Sequence, residues 1–235
     1  MNKTILHCDF NNFFASVECL ERPELKDKFV AVSGNPTERK GIILAKNESA
    51  KRLGVKTGEP IWQAMKKCPE LILLPPHFDK YYKYSKAAGE IYFRFTDLIE
   101  PFGLDECWLD VTGSERLFGN GCEIAKKIKK EIKKELGLTI SVGVSFNKVF
   151  AKLGSDMIKP DGLFEINREN FKEIINDMPV SELVGIGRST ENLLLRYGIS
   201  TLGQIAELKP EFLNRIMGKR GVVLWKYVNG YESSP

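Results

Sequence analysis

The chain has 235 residues, with 35 Lys and Arg against 31 Asp and Glu, and its net charge of +4 is lower than strongly basic nucleic-acid-binding domains carry. This length suits one large or two modest domains, and no apolar run approaches the about 20 residues that a membrane-spanning helix needs. The five cysteines form no C-x-x-C pair and are odd in number, which is typical of reduced thiols in a cytosol. Because no signal peptide precedes the first predicted strand, we expect a cytoplasmic protein with no membrane segment.

The first predicted strand, residues 4–9, is apolar and ends at the carboxylate of Asp9. An amphipathic helix over residues 13–20 follows it. Short strands and helices then alternate until the double proline that starts at Pro75. A compact block of this kind, residues 11–77, indicates an insertion into a larger sheet.

Asp105 and Glu106 interrupt an otherwise apolar run between two predicted strands. Acidic residues are poor strand formers, and a buried carboxylate without a partner costs several kcal/mol, so the pair needs either solvent or a cation. The spacing alone favours a solvent-exposed acidic turn, with a metal site as the alternative. Apolar residues on both sides, among them Phe102 and Trp108, indicate that the turn is held against a core.

The remaining predicted elements of this part are helices over residues 79–95, 115–136 and 147–157 and a strand over residues 139–145. Without the inserted block, the order is strand, helix, strand, strand, helix, strand. This is the split β-α-β order of a ferredoxin-like sheet, and it predicts an α+β fold. In that topology the first strand lies beside the central hairpin, so Asp9 comes next to Asp105 and Glu106. Mg²⁺ prefers oxygen ligands, and three acids that converge from two strand ends suit such an ion.

Residues 167–233 are helical in pattern throughout and form a separate small unit. Within it, Val184-Gly-Ile-Gly187 lies between two predicted helices, the second of which spans residues 189–197. A Gly-x-Gly turn before a helix exposes backbone N–H groups that suit a phosphate. Any two helices need a turn, so a plain connection is an equal alternative for this motif alone.

Four motifs, in the same order as in a known family, resemble the motifs of that family. They are Cys8-Asp-Phe-Asn-Asn-Phe-Phe-Ala-Ser-Val-Glu18, Gly103-Leu-Asp-Glu-Cys-Trp-Leu-Asp110, Gly143-Val-Ser-Phe-Asn-Lys-Val-Phe-Ala-Lys-Leu-Gly-Ser-Asp-Met-Ile-Lys-Pro160 and Val184-Gly-Ile-Gly187. Together they resemble the Y-family translesion DNA polymerases of the bacterial DNA polymerase IV branch, and the resemblance runs over the whole chain. It implies template-directed DNA synthesis of low fidelity that bypasses damaged bases.

The resemblance also implies a division into three domains. A ferredoxin-like βαββαβ palm spans residues 1–10 and 78–166, and small α/β fingers, residues 11–77, are inserted into it. An all-helical thumb with a helix-hairpin-helix-like turn spans residues 167–235.

For the active site, the resemblance implies that Asp9, Asp105 and Glu106 are the catalytic, metal-binding carboxylates and that the Phe10 carbonyl is a backbone ligand. Two Mg²⁺ ions are the implied cofactors, because nucleotidyl transfer uses one ion to activate the primer 3′-hydroxyl and another to hold the triphosphate. Without metal, mutual repulsion among three acids should raise at least one pKa.

The resemblance assigns the incoming nucleotide to a second set of residues. Phe14 matches the steric gate that excludes a ribose 2′-hydroxyl, although a core aromatic is the alternative, which Phe13 fits at least as well. Lys159 matches a lysine that reaches the triphosphate, where a point charge suffices. The backbone amides of Asn11, Asn12, Phe13 and Phe14 are the implied phosphate donors.

The implied partners are primer-template DNA and deoxynucleoside triphosphates. Gly185 and Gly187 should hold DNA phosphates without reading bases. A sliding clamp is expected to dock through a region beyond residue 235, and we expect a monomer. Family members normally carry a further DNA-gripping domain, the little finger, so we expect this sequence to be a catalytic core that binds DNA more weakly than the full-length protein.

Four positions depart from the family pattern. Asn11 stands where an Asp is usual, and Ala45 stands where a Thr is common. In the fingers, Glu48 replaces a Tyr and Lys51 replaces an Arg that grip the triphosphate. A carboxylate facing a triphosphate is repulsive, so we expect Glu48 to point away or to pair with Lys51 or Arg52. We hypothesise that Lys51 still supplies the positive charge.

Two other functions remain as alternatives. One is a catalytically weak, polymerase-like protein that binds DNA or a repair partner, which Glu48 favours and the three retained acids oppose. The other is a nucleotidyl cyclase, which also places carboxylates on a ferredoxin-like hairpin. The fingers insertion and the Gly-x-Gly turn of the thumb argue against a cyclase.

Overall fold

The structure is a computed structural model that describes residues 3–34 and 41–231. Within these ranges the strands are β1 (Ile5–Phe10), β2 (Val30–Ser33), β3 (Ile43–Lys46), β4 (Ile72–Leu74), β5 (Ile99–Phe102), β6 (Glu106–Asp110), β7 (Ile140–Ser145) and β8 (Leu163–Ile166). The helices are α1 (Phe13–Leu20), α2 (Glu48–Arg52), α3 (Ile61–Lys67), α4 (Phe78–Phe93), α5 (Glu115–Phe118), α6 (Gly121–Leu136), α7 (Lys148–Met157), α8 (Phe171–Asn176), α9 (Arg188–Arg196), α10 (Leu202–Glu207), α11 (Pro210–Met217) and α12 (Lys219–Val228). Three-residue 3₁₀ turns occur at Pro23–Leu25, Thr112–Ser114 and Val180–Glu182.

The central sheet has five strands in the order β5-β6-β1-β7-β8. Strand β1 is antiparallel to both β6 and β7, and β8 lies parallel to β7. The first four strands of this order reproduce the ferredoxin-like arrangement, so the predicted α+β fold is confirmed. Strand β8 was not predicted, because its four residues, Leu-Phe-Glu-Ile, are too short to show a clear alternation.

Helices cover both faces of the central sheet, which is why every residue of β1 and β7 is buried. On one face, Ile124, Ile128 and Ile132 of α6, which recur at i, i+4 spacing, pack with Leu6 and other apolar residues in the largest core cluster. On the other face, α7 packs closely on β7. A Cβ atom at Gly143 would lie 1.9 Å from the carbonyl oxygen of a residue in α7, so only glycine fits there.

The predicted helix over residues 115–136 is divided in the structure into α5 and α6. Gly119 has a φ of 91°, which ends α5, and Asn120 then starts α6 with a capping box that includes Glu123. The hydrophobic period runs through both helices, so periodicity alone did not reveal the break.

The inserted block contains a second, three-stranded sheet in the order β3-β2-β4. Strands β2 and β3 are antiparallel, whereas β2 and β4 are parallel. A small core around Ala31, Ile43 and Ala50 holds the sheet against α2 and α3. Residues 35–40 of this block lie outside the described residues, as do residues 1–2 and 232–235 at the ends of the predicted palm and thumb.

The C-terminal segment is helical from α8 to α12, as predicted. Its core continues into α7, because Val149, Phe150 and Leu153 belong to the same hydrophobic cluster as the thumb helices' apolar residues. Among the described residues, none of the helices combines the length and the apolar character that crossing a membrane requires.

Candidate active site

Three carboxylates meet at one end of β1 and β6. Asp9 pairs with Glu106 in the strand register, and the backbone N–H of Phe10 donates to the carbonyl of Asp105 at 3.0 Å. The topology therefore brings Asp9 next to Asp105 and Glu106, which lie almost a hundred positions later in the sequence.

The carboxylates line a cavity of about 330 Å³ that lies between the central sheet and the inserted block. The residues around it are Asp9, Phe10, Asn11, Asn12, Phe13, Leu44, Ala45, Lys46, Glu48, Lys51, Thr57, Asp105, Glu106, Lys159 and Pro160. Most of the predicted metal-binding and nucleotide-binding residues are in this set. Phe14 is not in it, and Gly185 and Gly187 belong to the C-terminal helical segment.

The charge of Asp9 is balanced by one lysine. Lys159 places its Nζ atom 2.5 Å from Oδ2 of Asp9 and 2.7 Å from Oδ1 of Asp156. Burial nevertheless raises the pKa of Asp9 above its usual value, against the opposing effect of Lys159.

Within residues 3–34 and 41–231, Asp105 forms no ion pair with a lysine or an arginine. Burial, together with the negative charges of Asp9 and Glu106, raises the pKa of Asp105 to about 6. This agrees with the expected repulsion among the three acids. A cation at this position would remove the cost of ionising Asp105.

Glu106 is the most strongly acidic of the three. Burial alone would raise its pKa, but contacts with His7 and Lys152 outweigh burial and bring the pKa to about 2. Lys152 Nζ lies 2.5 Å and His7 Nε2 lies 3.1 Å from Oε2 of Glu106, and Nδ1 of the fully buried His7 is 2.8 Å from Oγ of Ser155. Sequence reasoning missed His7 and Lys152, although His7 shares the strand face of Asp9 at i, i+2 spacing.

The carboxylates of Asp9, Asp105 and Glu106 and the carbonyl of Phe10 fit hard divalent cations, which prefer carboxylate and carbonyl oxygens. Within the described ranges, no group of three or more His, Cys, Asp or Glu side chains is preassembled around one ion position. The physical reason is that Lys159 and Lys152 take oxygens of Asp9 and Glu106, so ammonium groups neutralise the acids. The raised pKa of Asp105 is the observation that favours a cation here, since burial and the charges of Asp9 and Glu106 outweigh the positive charge of Lys159.

The predicted phosphate-donor amides differ in availability. The N–H of Asn11 donates to the carbonyl of Thr139 at 3.0 Å, so this amide already has an acceptor, and its binding to phosphate stays a prediction. Helix α1 begins at Phe13, and its N-cap residue Asn12 makes no side-chain cap. The first N–H groups of a helix lack intrahelical acceptors, so the amides of Phe13 and Phe14 are suited to bind an anion.

The side chain of Asn11 has a structural function that sequence reasoning did not find. Asn11 Nδ2 donates to Oγ of Ser141 at 2.9 Å, and its Oδ1 accepts the N–H of Asp161 at 2.8 Å. The amide therefore ties the end of β1 to the loop that carries Lys159. An aspartate at this position could accept the N–H of Asp161 but could not donate to Ser141.

Glu48 remains in the cavity, but it is partly neutralised. Its Oε2 lies 3.9 Å from Nζ of Lys51 and 3.5 Å from Nδ2 of Asn12. Of the two arrangements that we expected, pairing with Lys51 is therefore the one observed. A further lysine, Lys46, also lines the cavity, and its Nζ donates to Oγ1 of Thr57 at 2.8 Å.

The two neighbouring phenylalanines have different environments. Phe13 is 3% exposed and belongs to the main core. Phe14 is half-buried, and its ring stacks on Tyr81 with 4.2 Å between centroids and 10° between planes. The hydroxyl of Tyr81 donates to Oε1 of the buried Glu18 at 2.8 Å, which fixes the stacked ring. The core alternative thus applies to Phe13, and the gate function of Phe14 stays a prediction.

The Gly-x-Gly turn precedes α9 in the C-terminal segment. Gly185 has a φ of 87°, a conformation that other residues rarely adopt, and its carbonyl accepts from Arg220 at 2.6 Å. A Cβ atom at Gly185 or Gly187 would meet nothing within 4 Å, so the turn presents open backbone.

Comparisons with known proteins agree with this geometry. The profile of the impB/mucB/samB family matches residues 8–156. Over the whole chain, 54% of residues are identical to DNA polymerase IV of Acetivibrio thermocellus and 41% to DNA polymerase IV 1 of Bacillus subtilis. The chain covers 59% and 56% of these two relatives, so it spans less than two thirds of their length.

Solved structures are similar over 99% of this chain. DinB from Sulfolobus solfataricus has a TM-score of 0.89 and 35% identity, with 68% of its chain covered. An insertion ternary complex of Dbh DNA polymerase has a TM-score of 0.90 and 34% identity, with 69% covered. On the family profile and these structures, the chain belongs to the impB/mucB/samB family, within the Y-family DNA polymerases.

Proposed function

We propose that this chain is the catalytic part of a DNA-directed DNA polymerase of low fidelity that bypasses damaged bases. The observation that carries the proposal is the convergence of Asp9, Asp105 and Glu106 on a cavity whose other wall contains Lys46 and Lys51. Acids on one side and ammonium groups on the other suit a metal-bound nucleoside triphosphate, because the triphosphate needs both divalent cations and direct positive charges.

In this proposal, residues 1–10 and 78–166 are the palm, residues 11–77 are the fingers and residues 167–235 are the thumb. The substrates are deoxynucleoside triphosphates and primer-template DNA, whose phosphates the thumb turn at Gly185 and Gly187 binds. We further propose a cytoplasmic monomer that docks on a sliding clamp through a region outside this sequence.

Asp9, Asp105, Glu106 and the Phe10 carbonyl would hold two Mg²⁺ ions. When bound, the ions would lower the pKa of the primer 3′-hydroxyl and offset the charge of the triphosphate. In the reaction, the primer 3′-oxygen forms a bond to the α-phosphorus as the bond to pyrophosphate breaks.

The other residues of the chain bind and orient the nucleotide. Lys159 and Lys51 contribute positive charge to the triphosphate site, and the α1 amides of Phe13 and Phe14 donate to phosphate oxygens. The ring of Phe14, held by Tyr81, excludes a ribose 2′-hydroxyl. The side chain of Asn11 keeps the Lys159 loop in place.

The experiment that tests this function supplies primer-template DNA, deoxynucleoside triphosphates and Mg²⁺, with a plain and a lesion-bearing template. We expect template-directed extension on both templates. Cyclic nucleotides formed from the triphosphates without DNA would favour a cyclase instead.

A second function rests on Glu48, a carboxylate in the cavity where a triphosphate would bind. If its repulsion prevents nucleotide binding, the protein is a DNA-binding or repair partner with weak catalysis. DNA binding without extension, in this chain and in a chain extended by the little finger domain, would support that second function.

A further inference from the structure

Lys46 differs from the other two lysines of the cavity in the partner of its ammonium group. Lys159 pairs with Asp9 and Asp156, and Lys51 lies within 3.9 Å of Glu48. In residues 3–34 and 41–231, by contrast, Lys46 makes no ion pair, and its hydrogen bond goes to the neutral hydroxyl of Thr57. A half-buried ammonium group whose hydrogen bond goes to a neutral hydroxyl is suited to bind an anion.

The surroundings of Lys46 support this interpretation. Burial lowers the pKa of the Lys46 ammonium, and the positive charge of Lys51 lowers it further, against the opposing charges of Glu48 and Glu59. The charged form is therefore destabilised in the absence of a ligand. A polyanion in the cavity would reverse that effect, because opposite charge at short range favours the charged form.

Two segments fix the position of the ammonium group. Lys46 is the last residue of β3, and its backbone pairs with Ala31 of β2. Thr57 belongs to the loop before α3, so its hydroxyl holds the lysine head from a different part of the inserted block. Less side-chain entropy is lost on binding when the side chain is already held.

We propose that Lys46 binds the triphosphate of the incoming nucleotide and supplies the positive charge that Glu48 partly removes from Lys51. This inference rests on the proposed polymerase function. Thr57 is a positioning residue for Lys46, because its hydroxyl accepts the hydrogen bond that holds the ammonium group.

The test compares Lys46→Met with Lys130→Met in primer extension at varied nucleotide concentration. Methionine keeps an unbranched apolar side chain and removes the charge, and Lys130 is an exposed residue of α6 that provides the same change in net charge. We expect Lys46→Met to raise the KM for nucleotide about tenfold or more, the size of one charge-assisted contact, with a smaller change in kcat. Lys130→Met should leave both constants unchanged.

Two further variants separate binding from a structural contribution. Lys46→Arg should recover most of the nucleotide affinity, whereas Thr57→Val should weaken binding less than Lys46→Met. Urea unfolding of Lys46→Met should match that of the wild type. A Lys46→Met protein whose loss of affinity follows only from a loss of stability would overturn the proposal.

A binding measurement distinguishes this inference from the polymerase function itself. Titration calorimetry with inorganic tripolyphosphate should show weaker binding to Lys46→Met than to wild type and Lys130→Met. If the wild type extends primers and Lys46→Met has unchanged KM and tripolyphosphate affinity, Lys46 is not a triphosphate ligand. If the wild type does not extend primers at all, the polymerase function fails, while weaker tripolyphosphate binding by Lys46→Met still supports an anion site at Lys46.

Discussion

At the scale of single residues, the active-site acids differ because each has different neighbours. Glu106 contacts His7 and Lys152, and Asp9 contacts Lys159. At Asp105, burial and the charges of Asp9 and Glu106 outweigh the opposing positive charge of Lys159. Charge is therefore unevenly compensated in the absence of metal. Asp105 is the least compensated carboxylate, so replacing it with a neutral residue should change the free energy of unfolding most clearly.

Asp105→Asn should stabilise the metal-free protein. The pKa of Asp105 is about 6 in the folded state, which lies above the value of the unfolded chain. The folded state thus binds more protons at mildly acidic pH, and the contribution of Asp105 to stability falls as the pH rises through that window. We expect Asp105→Asn to gain up to about 2 kcal/mol at neutral pH and much less near pH 4. Urea unfolding at both pH values measures this.

The exposed Asp97 provides the control for that substitution, because its side chain lies at the surface. Asp97→Asn should have little effect at either pH. An Asp105→Asn protein that is no more stable than the wild type at neutral pH would contradict the charge distribution described for the site.

Phe14→Ala should raise ribonucleotide incorporation, because the ring that stacks on Tyr81 would no longer occupy the space of a 2′-hydroxyl. Competition between ribonucleotides and deoxyribonucleotides during extension measures this selectivity. Phe93→Ala is the control, because it removes an exposed ring of α4 and should leave sugar selectivity unchanged. If Phe14→Ala and the wild type discriminate equally between ribonucleotides and deoxyribonucleotides, Phe14 is not the steric gate.

At the scale of elements, Asn11 connects β1 to β7 and to the loop of Lys159. Asn11→Ala leaves the N–H of Asp161 without its acceptor and should destabilise the fold by about 1–3 kcal/mol. The loosened loop should also raise the KM for nucleotide. Asn11→Asp keeps the acceptor and should affect KM less than the alanine variant does. If the two variants have the same KM as wild type, the loop does not depend on Asn11.

Sequence patterns predicted those elements whose periodicity is long or whose ends carry strong signals. Helix α1 has the predicted bounds, and α6 lies within the predicted helix over residues 115–136. The short strands β4 and β8 escaped prediction, since three or four residues carry little periodic information and their pairing depends on distant partners.

The candidate site could be predicted only in part, for a similar reason. The order of elements was sufficient to bring Asp9 next to Asp105 and Glu106. The contacts of His7, Lys46 and the Asn11 side chain depend on which face of a strand meets which loop. Local spacing puts His7 on the strand face of Asp9, but it does not show which side chains of distant segments these residues contact.

At the scale of the whole molecule, DNA binding should depend on backbone contacts in the thumb more than on net charge, which is only +4. Gly185→Ala should lower the affinity for primer-template DNA, because a side chain at a φ of 87° strains the turn and displaces its N–H groups. Fluorescence anisotropy with labelled DNA measures the affinity.

Gly198→Ala is the matched control for that experiment. Gly198 has a φ of 75° and, like Gly185, has open space where a Cβ atom would be, but it lies at the other end of α9. Gly198→Ala should therefore strain the backbone to a similar degree but leave the affinity for DNA unchanged. Equal losses in both variants would mean that the turn at Gly185 has no special part in binding DNA.

The most direct test of the account is primer extension with Mg²⁺ by the wild type, Asp105→Ala and Asp97→Ala. We predict template-directed extension by the wild type and by Asp97→Ala, and none by Asp105→Ala, since we propose Asp105 as one of the carboxylates that bind the metal ions. Extension that survives in Asp105→Ala at the wild-type rate would contradict the assignment of the active site.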